Sequence, residues 1–169
     1  MIIWITGKSC VGKTLIAKEL IKKIKKNKIK VVHIDGDNIR KITKNFDYSK
    51  AGRYQNANFI SKLVFLLNEN KINVVVSTIS IFPELLIWNR KKIKNYFQVL
   101  IKVKNNLIYK RDKSKIYFTK KIKNKNVAGE DIDFNHLKKI DLLISNNLTK
   151  KIFLNNVYKI LKSKKINFF

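Results

Sequence analysis

The eight residues GKSCVGKT, at positions 7–14, follow the spacing G-x-x-x-x-G-K-[ST]. A loop of this kind holds phosphate. Backbone N–H groups from Gly7 to Gly12, that of Ser9 among them, converge on phosphate oxygens, and the helix that must follow adds the positive end of its dipole. Lys13 then reaches the β- and γ-phosphates, and the Thr14 hydroxyl ligates Mg²⁺. The chemistry expected is therefore binding of ATP with Mg²⁺ by Gly7, Ser9, Gly12, Lys13 and Thr14. Cys10 is a spacer at a position that contributes backbone rather than side chain.

A second cluster follows in HIDGDNIR, residues 33–40. Asp35 and Asp37 stand two residues apart, and Gly36 lets the backbone turn between them. Both carboxylates can face a γ-phosphate, one to steady Mg²⁺ and its waters, the other to accept the proton of an attacking hydroxyl. Chain order favours Asp35 as the metal partner and Asp37 as the base. The plainer alternative is a helix-capping Asp followed by a turn Asp. Arg40 and Arg53 suit planar, bidentate contact with phosphate or sulfate.

These groups need elements to position them. The apolar run IIWI at 2–5 predicts a strand feeding the loop, and Leu15, Ile16, Leu20 and Ile24 predict a helix from Thr14 to about Lys26. KVVHID at 30–35 predicts a buried strand ending on Asp35, which sets the carboxylates at the sheet edge where open α/β folds bind ligands. A helix over 53–70 carries Ala57, Ile60, Leu63, Val64 and Leu67 on one face; strands follow at 73–78, 97–103 and 141–145. Pro83 opens a helix through about Asn95, and 149–163 closes the chain as another. Strands alternating with helices predict an α/β, three-layer fold of the P-loop NTPase type, with a parallel sheet of about five strands. The polar stretch over about 113–136 predicts a mobile lid. His33, inside a strand, is expected to be packed and His136 solvated; neither is given a role.

With 169 residues and no Gly/Ser/Pro-rich linker, residues 1–169 are expected to form one domain. The apolar runs fall short of a membrane span, and a lone cysteine suits a reducing compartment, so a cytoplasmic protein is expected. Lys+Arg number 38 against 11 Asp+Glu, a formal charge of +27. Nearly all of the excess is Lys, accompanied by Ile and Asn, the footprint of an A+T-rich coding sequence. The charge is read as a solvated, biased surface rather than a polynucleotide site, although it attracts anionic nucleotides.

The N-terminal phosphate loop paired with DGDNIR resembles the adenylylsulfate kinase (APS kinase) family. YSKAGRYQN at 48–56 is similar to that family's F-S-x-x-D-R-x-x-N segment, which implies substrate contacts by Tyr48, Arg53 and Asn56. STIS at 77–80 looks like the strand end bearing the family's active-site serine, here Ser80. RDKSKIY at 111–117 resembles R-D-P-K-G-L-Y at the start of the lid, which implies a nucleotide contact by Arg111; KNVAGEDIDF at 125–134 resembles K-N-F-T-G-I-D-D-P-Y. Val127 stands where the family has the Phe that stacks on the acceptor's adenine, and Lys113, Lys115, Phe118, Thr119 and Pro83 are further departures. IWNR at 87–90 and NVAG at 126–129 look like a divergent branch associated with polysaccharide decoration, which includes a kinase for cytidine diphosphoramidate.

The resemblance implies transfer of the ATP γ-phosphate to the ribose 3′-hydroxyl of a nucleoside 5′-conjugate. Adenylyl sulfate is the first choice of acceptor and cytidine diphosphoramidate the alternative, with a homodimer left open. Two other classes compete. One is a degenerate P-loop protein carrying nucleic acid, the other a GTPase-type switch; the latter lacks an Asp-bearing end to the third strand and any N-K-x-D loop.

Overall fold

The computed structural model describes residues 1–112 and 139–169, so the predicted lid over 113–136, with Val127 and His136, lies outside the described residues. In chain order the elements are β1 (Ile2–Thr6), α1 (Lys13–Lys26), β2 (Val31–Asp35), α2 (Gly36–Thr43), α3 (Lys50–Glu69), β3 (Asn73–Ser77), α4 (Pro83–Lys92), β4 (Tyr96–Lys102), α5 (Asn105–Arg111), β5 (Leu142–Ser145) and α6 (Lys150–Leu161). All strand pairings are parallel, in the order β2-β3-β1-β4-β5. This is the predicted α/β sheet of five strands.

Strand alternation divides the core in two. Ile3, Ile5, Val75, Phe97, Val99 and Ile101 meet Ile16, Leu20 and Ile24 of α1 and Phe153, Val157 and Ile160 of α6 on one face. Ile2, Trp4, Val74, Val76 and Tyr96 meet Ile60 and Val64 of α3 and Leu86 of α4 on the other. β1, β3 and all of β4 but its last residue are buried along their length, as strands covered on both faces must be. β1 is central, and the loop leaving it therefore opens at the middle of the carboxyl edge. Register sets Asp35 opposite Ser77 and Ser77 opposite Ile5, one residue before the end of β1.

The structure departs from the sequence reading in local ways. β2 is an edge strand and only half-buried, with Val32 exposed, rather than fully covered. Leu15 is exposed, because the buried stripe of α1 runs through Ile16, Ala17, Leu20 and Ile24. α4 ends at Lys92 rather than near Asn95, since Ile93 turns extended and buries itself ahead of β4. Two short helices, α2 and α5, stand where no element was predicted. Among the described residues no helix is long and apolar enough to cross a membrane.

Candidate active site

The phosphate loop is shaped by two glycines. Gly7 has φ 151° and a Cβ there would lie 2.6 Å from the Ile101 carbonyl oxygen, so no other residue fits. Gly12, at φ 97°, caps α1, and a Cβ on it would press within 3.0 Å of Asn146 Nδ2 and a ring carbon of Phe153. Cys10 takes a left-handed conformation, φ 62°, between them. Burial and the Asp112 carboxylate push the Cys10 thiol pKa up, which keeps it protonated and fits a spacer.

Lys13 begins α1 and folds back so that Nζ donates to the Lys8 carbonyl at 2.7 Å. Burial pushes its ammonium pKa down to about 8, against the opposing pull of Asp37 and Asp35. A cation held this way lacks full compensation and is improved by an arriving anion. One residue on, Thr14 Oγ1 donates to Asp35 Oδ2 at 2.8 Å.

Asp35 is the hub of this edge. Its Oδ2 also accepts from Ser77 Oγ at 2.7 Å, and its Oδ1 accepts the Asp37 N–H at 3.1 Å, capping α2. Burial raises the carboxyl pKa, but the bonds from Ser77, Thr14 and Asp37 outweigh it and hold the group ionised below the usual carboxylate range. Ser77 has one proton and gives it to Asp35, so His33, 2.9 Å from Ser77 Oγ, must present Nε2–H. Half-buried His33 thus holds the Ser77 hydroxyl that in turn donates to Asp35. Asp37, in the first turn of α2, is exposed. Asp35 thus both caps α2 and holds the Thr14 hydroxyl.

The second group lies along α2 and α3. Arg40 is buried; its Nη1 donates to the carbonyls of Asn45 and Asp47 at 2.9 Å each, and its guanidinium lies 4.6 Å from the centre of the Tyr48 ring. Arg53 lies 5.3 Å from the same ring, and its Nε donates to the Tyr48 carbonyl at 2.9 Å. Tyr48 is half exposed, with both guanidinium groups near its ring. Asn56, one turn further, is buried with its Oδ1 carrying no hydrogen bond, an acceptor awaiting a donor. Ser80 is buried past the end of β3; its N–H donates to Thr6 Oγ1 at 3.2 Å and its Oγ accepts Trp4 Nε1–H at 2.9 Å.

A third group closes the loop from the β5 side. Arg111 Nη1 donates to the Asn146 carbonyl at 2.9 Å, while Asn146 Nδ2 donates to the Val11 carbonyl at 2.9 Å. Lys13, Thr14, Asp35 and Asp37 are thus brought together, as are Arg40, Tyr48 and Arg53, and Arg111 meets the loop through Asn146.

The sequence profile of adenylylsulphate kinase matches residues 1–145. The chain belongs to the adenylylsulphate kinase family. It is accordingly a phosphotransferase, as its phosphate loop implies. It is 36% identical over 158 residues to the cytidine diphosphoramidate kinase of Campylobacter jejuni, an alignment covering 89% of this chain and 91% of that one. With the probable adenylyl-sulfate kinase of Pyrococcus abyssi it shares 35% identity over 100 residues, 59% of this chain and 58% of the other. The APS kinase of Mycobacterium tuberculosis, solved with AMPPNP and APS, superposes with a TM-score of 0.78 at 25% identity, covering 96% of this chain and 97% of that one.

Three residues of the site escaped the sequence reading: Ser77, Trp4 and Asn146. Ser77 and Asn146 stand where β3 ends and just beyond β5, so a polar residue after an apolar strand was the available signal. Trp4 carried none, because an indole in a buried strand reads as core until its N–H is seen to find Ser80.

Proposed function

We propose that the chain transfers the γ-phosphoryl group of ATP to the ribose 3′-hydroxyl of a nucleoside 5′-conjugate, with cytidine diphosphoramidate as the acceptor. The observation that carries the choice of acceptor is the extent of likeness: the match to the cytidine diphosphoramidate kinase runs nearly end to end, while that to the Pyrococcus adenylyl-sulfate kinase spans 100 residues. Adenylyl sulfate is the second reading, favoured by the close superposition on an APS kinase holding APS.

In this reading the loop from Gly7 to Gly12, Ser9 included, cradles the phosphates and Arg111 contacts the nucleotide. Arg40, Tyr48, Arg53 and Asn56 hold the acceptor so that its 3′-oxygen lies in line with the γ-phosphorus. That oxygen attacks phosphorus, the bond to the β,γ-bridging oxygen breaks, ADP leaves, and the hydroxyl proton passes to Asp37. Lys13 neutralises charge developing on the transferred group. The Thr14 hydroxyl and Asp35 carboxylate, 2.8 Å apart, form the small oxygen donor set that suits Mg²⁺ completed by phosphates and water. When bound there, Mg²⁺ would offset phosphate charge. Ser80, its hydroxyl oxygen engaged by Trp4, is assigned to shaping the site wall. A cytoplasmic setting fits an ATP-dependent reaction.

The test is a panel of cytidine diphosphoramidate, adenylyl sulfate and plain nucleotides with Mg·ATP, scored for ADP and phosphorylated product. Product from the cytidine conjugate, lost in Lys13→Ala with the fold retained, is expected. Turnover of adenylyl sulfate alone would reverse the choice of acceptor, and normal turnover by Lys13→Ala would remove the mechanism.

A further inference from the structure

Asn146 stands just past β5 and is buried. Its N–H donates to the Lys102 carbonyl at 2.9 Å, which fixes it to the end of β4. Its carbonyl accepts Arg111 Nη1 and its side-chain amide donates to the Val11 carbonyl, as described above. It also touches the space beside Gly12, where a Cβ would come within 3.0 Å of its Nδ2.

The consequence follows from peptide geometry. A planar trans peptide sends its C=O and its N–H in opposite directions, and no cis bond occurs among the described residues. With the Val11 carbonyl held against Asn146, the N–H of Gly12 is turned the opposite way, away from the Asn146 side chain. Were this peptide free to flip, a carbonyl oxygen would replace that N–H and repel phosphate. Only a donor can hold a carbonyl here, which Asn supplies and an isosteric Asp does not.

We infer that Asn146 is a positioning residue for the nucleotide, aiming the Gly12 N–H through its side chain and the Arg111 guanidinium through its main chain. The inference rests on the reading of residues 7–14 as the ATP site and goes beyond it by naming what holds that site in its anion-binding form.

The experiment compares wild type, Asn146→Asp and Asn146→Ala by calorimetric titration with Mg·ADP, alongside melting temperature and the acceptor KM. Mg·ADP should bind the variants roughly tenfold more weakly, about 1.4 kcal/mol, with Asp worse than Ala and acceptor KM unchanged. The ¹⁵N shift that nucleotide induces at the Gly12 amide should shrink in the variants. A variant that melts lower but binds Mg·ADP like wild type would overturn the inference, leaving a structural role. Failure of both variants to fold would do the same. Wild-type protein that binds no Mg·ADP would instead overturn the ATP-site reading, and this inference with it.

Discussion

The hydroxyl of Thr14 donates to Asp35 at 2.8 Å, joining the last residue of the phosphate-loop motif to the last residue of β2. Two residues 21 apart in the chain therefore meet through one proton, and the carboxylate receiving it is held by two further donors. Asp35 and Asp37, alike in the sequence, differ in this respect. Asp35 is buried and triply bonded, Asp37 exposed.

The difference predicts separable phenotypes. Asp35→Asn removes an ionised acceptor from Thr14, Ser77 and the Asp37 N–H, at a cost of about 2 kcal/mol. Its melting temperature should fall by roughly 4–8 °C. Asp37→Asn should leave the melting temperature within about 2 °C. Both should lower kcat on the order of a hundredfold or more with little change in the KM for ATP. Thermal melts beside steady-state kinetics check this, and equal melting temperatures for the two variants would contradict it.

Arg40 and Arg53 should also part company. Arg40 Nη1 is committed to the carbonyls of Asn45 and Asp47, so Arg40→Lys exchanges a fork for a point charge and loosens the turn carrying Tyr48. It should lower stability by about 1–2 kcal/mol and raise the acceptor KM. Arg53→Lys, at a partly exposed residue whose Nε donates to one carbonyl, that of Tyr48, should raise the acceptor KM with a smaller loss of stability. An acceptor KM unchanged in both variants would remove these residues from substrate binding.

How far the sequence carried this site depends on how many residues each element commits. β1, β3 and β4 were legible because strands covered on both faces admit little but apolar side chains, and the phosphate loop because its glycines answer to sterics. α2 was not. Its first residues, Gly36, Asp37 and Asn38, are poor helix formers, and the helix exists because Asp35 caps it and Ile39 and Arg40 are buried beneath it. α5 has only Ile108 buried in its seven residues, too little periodicity to read. Asn146 was invisible for another reason: its meaning depends on its side chain reaching the Val11 carbonyl, 135 residues away in the chain.

Away from the site, Asp141 offers a test by pH. Its carboxylate accepts from Arg90 Nη2 and Lys165 Nζ, each at 2.7 Å, and from the Gln98 N–H at 2.9 Å. Burial raises its pKa, but the bonds from Arg90, Lys165 and Gln98 outweigh burial and leave it below the ordinary value of 3.8. A carboxyl with a depressed folded pKa stabilises the fold fully above its unfolded pKa and loses that contribution as pH falls through the folded one. Asp141→Asn should therefore melt below wild type at pH 7, by about 2 kcal/mol of stability, with the gap closing as pH falls below about 4. Denaturation measured across pH 3–7 checks the sign, and a gap that widens on acidification would reverse the assignment.

The last prediction concerns the acceptor base, which positions 48 and 127 can read. Tyr48 is half exposed, with the Arg40 and Arg53 guanidinium groups 4.6 and 5.3 Å from its ring centre, so it pairs an aromatic surface with positive charge. Position 127, Val here, is where the resemblance sets a second ring for stacking on adenine. A base–aromatic stack contributes ~1–3 kcal/mol, so its loss weakens a purine more than a smaller pyrimidine gripped chiefly from the Tyr48 side. Val127→Phe should then raise kcat/KM for adenylyl sulfate by roughly tenfold, the equivalent of ~1.4 kcal/mol, while leaving cytidine diphosphoramidate unimproved or slowed by crowding. Tyr48→Leu, by contrast, should weaken both acceptors, because it removes the ring they share. The two variants assayed against both acceptors give four ratios. If Val127→Phe improved both acceptors equally, residue 127 would not read the base, and discrimination would have to come from Tyr48 and the unpaired Oδ1 of Asn56.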